Sequence, residues 1–137
     1  MKVEKYADFS EHIPLVKKLR GYGIDATIRI WEDSLSIIGL YEGKTSLRFE
    51  IFPEEYAYII EGDSLFYNDH SPLANILAYG LSQKVVKGIR FDLNEDGYFI
   101  YSAVAKDVDT IISKIKMLDE AYYQSGRLIL NIFNKLC

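Results

Sequence analysis

An apolar stripe after Asp107 constrains the fold more than any other feature of this sequence. Its members recur at alternating steps of three and four residues, the spacing that places side chains on one face of an α-helix. They are Val108, Ile111, Ile115, Leu118, Tyr122, Ser125, Ile129, Ile132 and Leu136. Asp107 is expected to cap this helix. A helix of this length spans about 40 Å, which is longer than one core face of such a small domain needs.

Part of the stripe is therefore expected to pack against a second copy of the chain, as a heptad seam would. Tyr122, Ile129, Ile132 and Leu136 are the candidate residues of this dimer helix. The alternative is a kink or break at Ser125-Gly126, because glycine is unfavourable inside helices. Two shorter helices would then both pack on the chain's own sheet.

The middle of the chain alternates with a period of two, which predicts β-strands. The predicted strands cover residues 25–31, 35–41, 45–52, 89–93 and 98–104. A further short strand over 56–60 is left open, with Leu65 to Tyr67 pairing back on it. The sequence Asn94-Glu95-Asp96-Gly97 indicates a hairpin turn between the last two strands.

Two further helices are predicted from capping and periodicity. The first follows Ser10, holds Pro14 in its first turn and ends at Gly21 and Gly23. The second starts at Ser71-Pro72 and runs to about Val86, before Gly88. The predicted apolar side of this second helix holds Leu73, Ile76, Leu77, Leu81 and Val85.

Together these elements predict one α+β domain over residues 1–137, in the order α-β-β-β-α-β-β-α. Its architecture is expected to be two-layered, with helices on one face of a curved antiparallel sheet. No repeat, low-complexity run or linker divides the chain.

Charge and apolar content exclude several classes of protein. Twenty acidic residues against sixteen Lys and Arg leave a formal charge of −4, which disfavours non-specific nucleic-acid binding. No stretch approaches the roughly 20 apolar residues of a membrane span, and the start lacks the apolar core of a signal peptide. A single Cys137 forms no intrachain disulfide. A cytoplasmic protein is expected.

Motifs for catalysis and metal binding are absent from the sequence. Residues 92–97 match the opening of a calcium-binding loop, but Ala103 stands where a bidentate carboxylate is required, so a plain turn is the better interpretation. His12 and His70 lack metal-ligand spacing. The neighbouring carboxylates Glu54-Glu55 and Asp119-Glu120 are interpreted as solvated surface. No cofactor, metal or enzymatic activity is predicted.

Three of the five arginines, Arg29, Arg48 and Arg90, fall at outward positions of predicted strands. Converging guanidinium groups can bind an acidic peptide or a phosphate. Cross-strand pairing with Glu50 and Asp92 is the alternative, and we favour it.

Trp31 is also predicted to face outward from its strand. It is the best candidate of an aromatic docking surface. Its other members would be Tyr41, Tyr56, Tyr58, Tyr98 and Tyr101. Core or cross-strand packing of these aromatic residues is the favoured alternative.

Three segments carry a resemblance to a known family: Asn75-Ile76-Leu77 in the second helix, residues 88–97 in the hairpin, and the long helix after Asp107. Their order resembles the type III secretion chaperone-like fold, in particular the YbjN-type family. The resemblance implies a two-layer α+β domain, often dimeric, whose surface in the secretion chaperones binds an extended segment of a client protein. It implies no catalytic residues. The strand at 56–60 departs from the family pattern.

We therefore predict a non-enzymatic protein-binding module, chaperone-like or adaptor-like, that engages a protein partner as a homodimer. The alternative is a small-ligand sensor or an enzyme whose site is assembled from dispersed residues. A nucleic-acid role ranks third. It requires the three sheet arginines to form one patch with Lys17, Lys18 and Arg20.

Overall fold

The computed structural model describes residues 11–30, 32, 34–63, 72–84, 86–93 and 99–136. Its helices are α1 (Ile13–Gly21), α2 (Pro72–Ser82) and α3 (Val108–Leu136). Its strands are β1 (Asp25–Ile30), β2 (Leu35–Glu42), β3 (Ser46–Pro53), β4 (Tyr58–Gly62), β5 (Arg90–Leu93) and β6 (Phe99–Ala105). The predicted α+β class is confirmed.

The strands form one antiparallel sheet in the order β1-β2-β3-β4-β6-β5. Alternation along each strand sends one set of side chains toward the helices, as in β6, where Phe99, Tyr101, Ala103 and Ala105 are buried. Tyr101, Ala103 and Ala105 belong to one core with the apolar faces of α1 and α3. The opposite side of the sheet, which we call the open face, is not covered by any described helix.

The further strand considered at residues 56–60 is present as β4. It is shifted by two residues toward the C-terminus and lies between β3 and β6. The proposed pairing of Leu65 to Tyr67 and the turn at 94–97 lie outside the described residues. So does Ser10, the predicted cap of the first helix. That helix begins after His12 without a side-chain cap, and Gly23 ends its C-terminal turn with φ +82°.

The second helix ends four residues earlier than predicted. The amide of Lys84 donates to the carbonyl of Leu81 at 3.0 Å, and that of Gln83 donates to Gly80 at 3.2 Å. These tighter turns replace the regular pattern of an α-helix. The predicted end at about Val86 is wrong, and Ile76, predicted on the buried side, is 53% exposed.

The last helix is continuous through Ser125-Gly126, as one long helix requires, so the alternative of a kink or break there is wrong. Asp107 caps it as expected, because its Oδ1 accepts from the amide of Thr110 at 2.9 Å. Ser125 fits inside the helix because its hydroxyl donates to the carbonyl of Ala121 and shares a hydrogen bond with the Tyr101 hydroxyl. Gly126 lies on an exposed side of the helix.

Asp119 joins α3 to the β2–β3 turn. Its buried carboxylate accepts from the amides of Lys44 and Thr45, both at 2.8 Å, and from the Thr45 hydroxyl at 2.6 Å. Gly43 is needed at this contact, since an added Cβ would lie 2.5 Å from Asp119 Oδ2. The interpretation of Asp119 as solvated surface is therefore wrong.

Candidate binding groove on the open face of the sheet

The strand register places one row of residues across all six strands of the open face. In sheet order the row is Thr27, Ile38, Glu50, Glu61, Ser102 and Arg90. A second row begins with Asp25, Leu40 and Arg48, two residues along each strand. Side chains two apart on a strand share a face, so the two rows lie side by side.

A groove of about 570 Å³ lies over these rows, at the β1 to β4 end of the sheet. We call it the open-face groove. Its charged lining comes from Asp25, Arg29, Arg48, Glu50, Glu61 and Asp63. Ile38 and Leu40, both half-buried, add apolar lining. The groove thus offers both signs of charge beside aliphatic side chains.

Two carboxylates meet inside the open-face groove. Glu50 and Glu61 are direct cross-strand partners, a placement that is unfavourable for like charges. The Ser36 hydroxyl donates to Glu50 Oε2 at 2.5 Å and fixes that carboxylate. Burial raises the pKa of Glu61, and the charges of Glu50 and Asp92 raise it further. A positive group entering the groove here would relieve this repulsion.

Two of the three candidate arginines line the groove. Arg29 lies on edge strand β1, and Arg48 lies on β3, two strands away. The Arg48 guanidinium makes no hydrogen bond or ion pair with any residue that the structure describes. Arg48 thus offers an exposed positive group two residues along β3 from Glu50.

Arg90 does not join them. It lies on the opposite edge strand, five strand spacings or about 24 Å from β1. Its Nε pairs with Asp92 Oδ1 at 3.3 Å, so Asp92 is a partner as predicted, but the two residues lie on the same strand and the pairing is not cross-strand. The hypothesis that all three arginines converge on one anion is therefore wrong, because the sheet order separates Arg90 from the other two.

The basic residues of α1 do not extend this site either. Lys18 pairs with Asp109, and Arg20 Nε donates to the carbonyl of Ala26 at 2.9 Å. Helix α1 packs against the buried side of the sheet, whereas the sheet arginines are on the open face. The single basic patch required for a nucleic-acid role is therefore not formed.

Tyr122, one of the candidate dimer-helix residues, belongs to the chain's own core. It is 8% exposed, its hydroxyl donates to the carbonyl of Asp63 at 2.5 Å, and its ring packs edge-on against Tyr101. Burial raises its pKa well above the ordinary value. Tyr122 is not available to a dimer seam. Ile129 is half-buried, and the side chains of Ile132 and Leu136 lie outside the described residues.

The candidate aromatic residues do not form one surface. Tyr101 is fully buried, Tyr41 and Tyr58 pack against the core, and Tyr56 is 84% exposed. Trp31 and Tyr98 lie outside the described residues. The favoured alternative of core packing is thus confirmed for Tyr101, Tyr41 and Tyr58.

Glu61 was not among the predicted site residues, although it lies opposite Glu50 and lines the open-face groove. The only sequence signal for Glu61 was that it directly follows Ile60, the last residue of the further strand considered at 56–60. Its neighbour Glu50 was recognised, but their contact depends on the β3–β4 register, which the sequence does not show.

Metal ligands and membrane spans are not found in the described part of the chain. Its residues contain no group of three His, Cys, Asp or Glu placed to hold a metal. His70, Cys137 and most of the calcium-like loop lie outside it. None of the helices within that part has the length and apolar content to cross a bilayer.

The likeness to the secretion chaperone-like family is a prediction from residue pattern alone. Neither a protein-family profile, nor a curated protein, nor a solved structure matches this chain.

Proposed function

We propose that this chain is a non-enzymatic protein-binding module, chaperone-like or adaptor-like, that acts in the cytoplasm as a homodimer. Its open-face groove would hold an extended segment of a partner protein. The observation that supports this is the lining of the groove, where Arg48 and the Glu50–Glu61 pair flank half-buried aliphatic side chains.

The spacing of these groups suits an extended chain. Arg48 and Glu50 are two residues apart on β3, which is about 6.6 Å along a strand. An extended partner segment repeats its own side chains at the same interval. An acidic residue opposite Arg48 and a basic residue two positions further would therefore meet complementary charges, with an apolar neighbour on Ile38 or Leu40.

A peptide-display selection followed by fluorescence anisotropy tests this proposal. Selection on the wild-type chain should enrich segments in which acidic and basic residues alternate at a spacing of two. Arg48→Met and Glu61→Gln should each weaken binding by about tenfold, the effect of losing roughly 1.4 kcal/mol of charge-assisted contact.

Arg90→Met is the matched control, because it removes an arginine from the same face but outside the groove. It should leave binding unchanged. Enriched peptides that bind Arg48→Met and Glu61→Gln as tightly as the wild type would contradict the proposal, as would a selection that enriches nothing.

A small-ligand site is the second candidate. The groove volume of about 570 Å³ falls within the usual range of small-molecule sites. A deep site lined by Arg90 or His70 would favour it, but Arg90 is not part of the groove. Thermal-shift screening of small charged metabolites distinguishes the two functions, since a ligand raises Tm in wild type but not in Arg48→Met.

A further inference from the structure

Glu50 and Glu61 face each other in the open-face groove, but only Glu50 is held by a described hydrogen bond. The Ser36 hydroxyl donates to Glu50 Oε2 at 2.5 Å, whereas no described residue donates to Glu61. A hydrogen bond donated to a carboxylate favours its ionised form. A proton taken up by this pair therefore resides on Glu61.

The other charged and titratable groups around Glu61 do not give it a positive partner. They are Arg48 on β3, Arg90 and Asp92 on β5, Asp63 after the end of β4, and Tyr122 on α3. Arg90 pairs with Asp92, and Arg48 makes no ion pair with a described residue. Strand β6, on the other side of β4, places Ser102 opposite Glu61 and contains no charged residue.

These surroundings favour the protonated form of Glu61 in the unbound chain. Burial raises its pKa, and the charges of Glu50 and Asp92 raise it further. An opposite charge nearby has the reverse effect, because it stabilises the carboxylate. A basic side chain placed against Glu61 would therefore displace its proton.

Glu120 on α3 shows this reverse effect within the same chain. The Lys44 ammonium donates to Glu120 Oε2 at 2.6 Å, and Gln124 donates to the same carboxyl group at 2.9 Å. The hydrogen bond from Lys44 is the largest cause that lowers the pKa of Glu120. Glu61 has the same chemistry without a described cation beside it, so a partner can supply one.

We propose that the open-face groove binds a basic side chain of the partner segment against Glu61, and that this binding displaces a proton from Glu61. This inference rests on the proposed function, because it specifies the partner residue and the control of the same groove. In the step, the O–H bond of the Glu61 carboxyl group breaks and the proton passes to solvent. The Lys or Arg side chain of the partner keeps its charge.

The proton and the basic side chain compete for one carboxylate, so lower pH weakens binding. Isothermal titration calorimetry of the full chain with a Lys-containing peptide from the display selection tests this. Titrations in buffers of different ionisation enthalpy count the protons released. We expect net release, at most one proton per peptide, and a dissociation constant that rises about fivefold between pH 7 and about pH 5.

Two groove variants identify the carboxyl group responsible. Glu61→Gln should remove both the proton release and the dependence of the dissociation constant on pH. Glu50→Gln should reduce both, because it removes the charge directly opposite Glu61. Glu54→Gln is the matched control, since Glu54 is exposed just after β3 and does not line the groove, and it should behave as the wild type does.

The peptide with Gln in place of its Lys corrects for titration of the peptide's own acidic residues. It should release no proton from the wild-type chain. Proton release that persists with this peptide or in Glu61→Gln would overturn the inference, as would a wild-type dissociation constant that does not change with pH.

These outcomes separate the inference from the proposed function. A peptide that binds in the groove without releasing a proton overturns the inference and leaves the proposed function standing. Absence of peptide binding at every pH overturns both.

Discussion

Two neighbouring residues on α3 with the same chemistry have different roles in the fold. Asp119 is buried and accepts three hydrogen bonds from the β2–β3 turn, whereas Glu120 makes an ion pair with Lys44 at 2.6 Å near solvent. Adjacent residues on a helix point about 100° apart, so one faces the sheet and the other faces its margin. Only the three-dimensional position of the turn distinguishes them.

Asp119→Ala is expected to destabilise the fold by about 3 kcal/mol, because it removes a charged acceptor and leaves the Lys44 and Thr45 amides without it. Urea denaturation followed by circular dichroism measures this change. Glu120→Ala should change stability little, since exposed ion pairs contribute little. Equal losses in the two variants would contradict the role assigned to Asp119.

Glu61 is expected to make stability depend on pH. Its pKa is raised in the folded state, so the folded chain holds this proton more tightly than the unfolded chain does. The associated stability is therefore present below the ordinary pKa of Glu and is lost as pH rises through the raised value.

Glu61→Gln should consequently stabilise the chain at pH 7 and lose this advantage at about pH 4, where the wild-type carboxyl is protonated. The gain at pH 7 is expected to be about 0.5 kcal/mol, a value kept small by solvent screening of this half-exposed group. Urea midpoints measured across this pH range check it. An advantage that does not change with pH would disprove the link to ionisation.

At the level of elements, local periodicity predicted where helices and strands form. The alternating segments became β1, β2, β3, β5 and β6, and the stripe after Asp107 became α3. Local pattern did not predict the end of α2, which depends on turns at Gln83 and Lys84. It also did not predict the pairing of β4, which brings Glu61 opposite Glu50 and so completes the open-face groove.

The continuity of α3 and its packing on β4 are tested by two glycines. An added Cβ at Gly62 would clash with the Tyr122 ring, whereas one at Gly126 meets nothing within 4 Å. Gly62→Ala should therefore destabilise the chain by about 2 kcal/mol. Gly126→Ala should stabilise it by about 0.5 to 1 kcal/mol, because alanine favours a continuous helix.

Thermal unfolding of the two variants measures both changes. A lower Tm for Gly126→Ala would indicate that the helix is interrupted there. A Tm for Gly62→Ala equal to that of wild type would mean that Tyr122 does not pack against this glycine.

At the scale of the whole molecule, one sheet separates two environments. The helices and the core occupy one side, where Asp119, Tyr101 and Tyr122 join α3 to the strands. The open face carries the groove, whose charges lie on strands brought together by the sheet order. This division places the core on one side of the sheet and the open-face groove, where we propose that a partner binds, on the other.

We propose that the open-face groove binds an extended segment of a partner protein. Chemical-shift mapping on the full isotope-labelled chain, titrated with a peptide from the display selection, is the sharpest test of this proposal. The proposal predicts shifts concentrated at the groove residues of β1 to β4, including Arg48 and Glu61, and no binding-site shifts at Arg90. Shifts concentrated on α2, or shifts spread evenly over the chain, would contradict it.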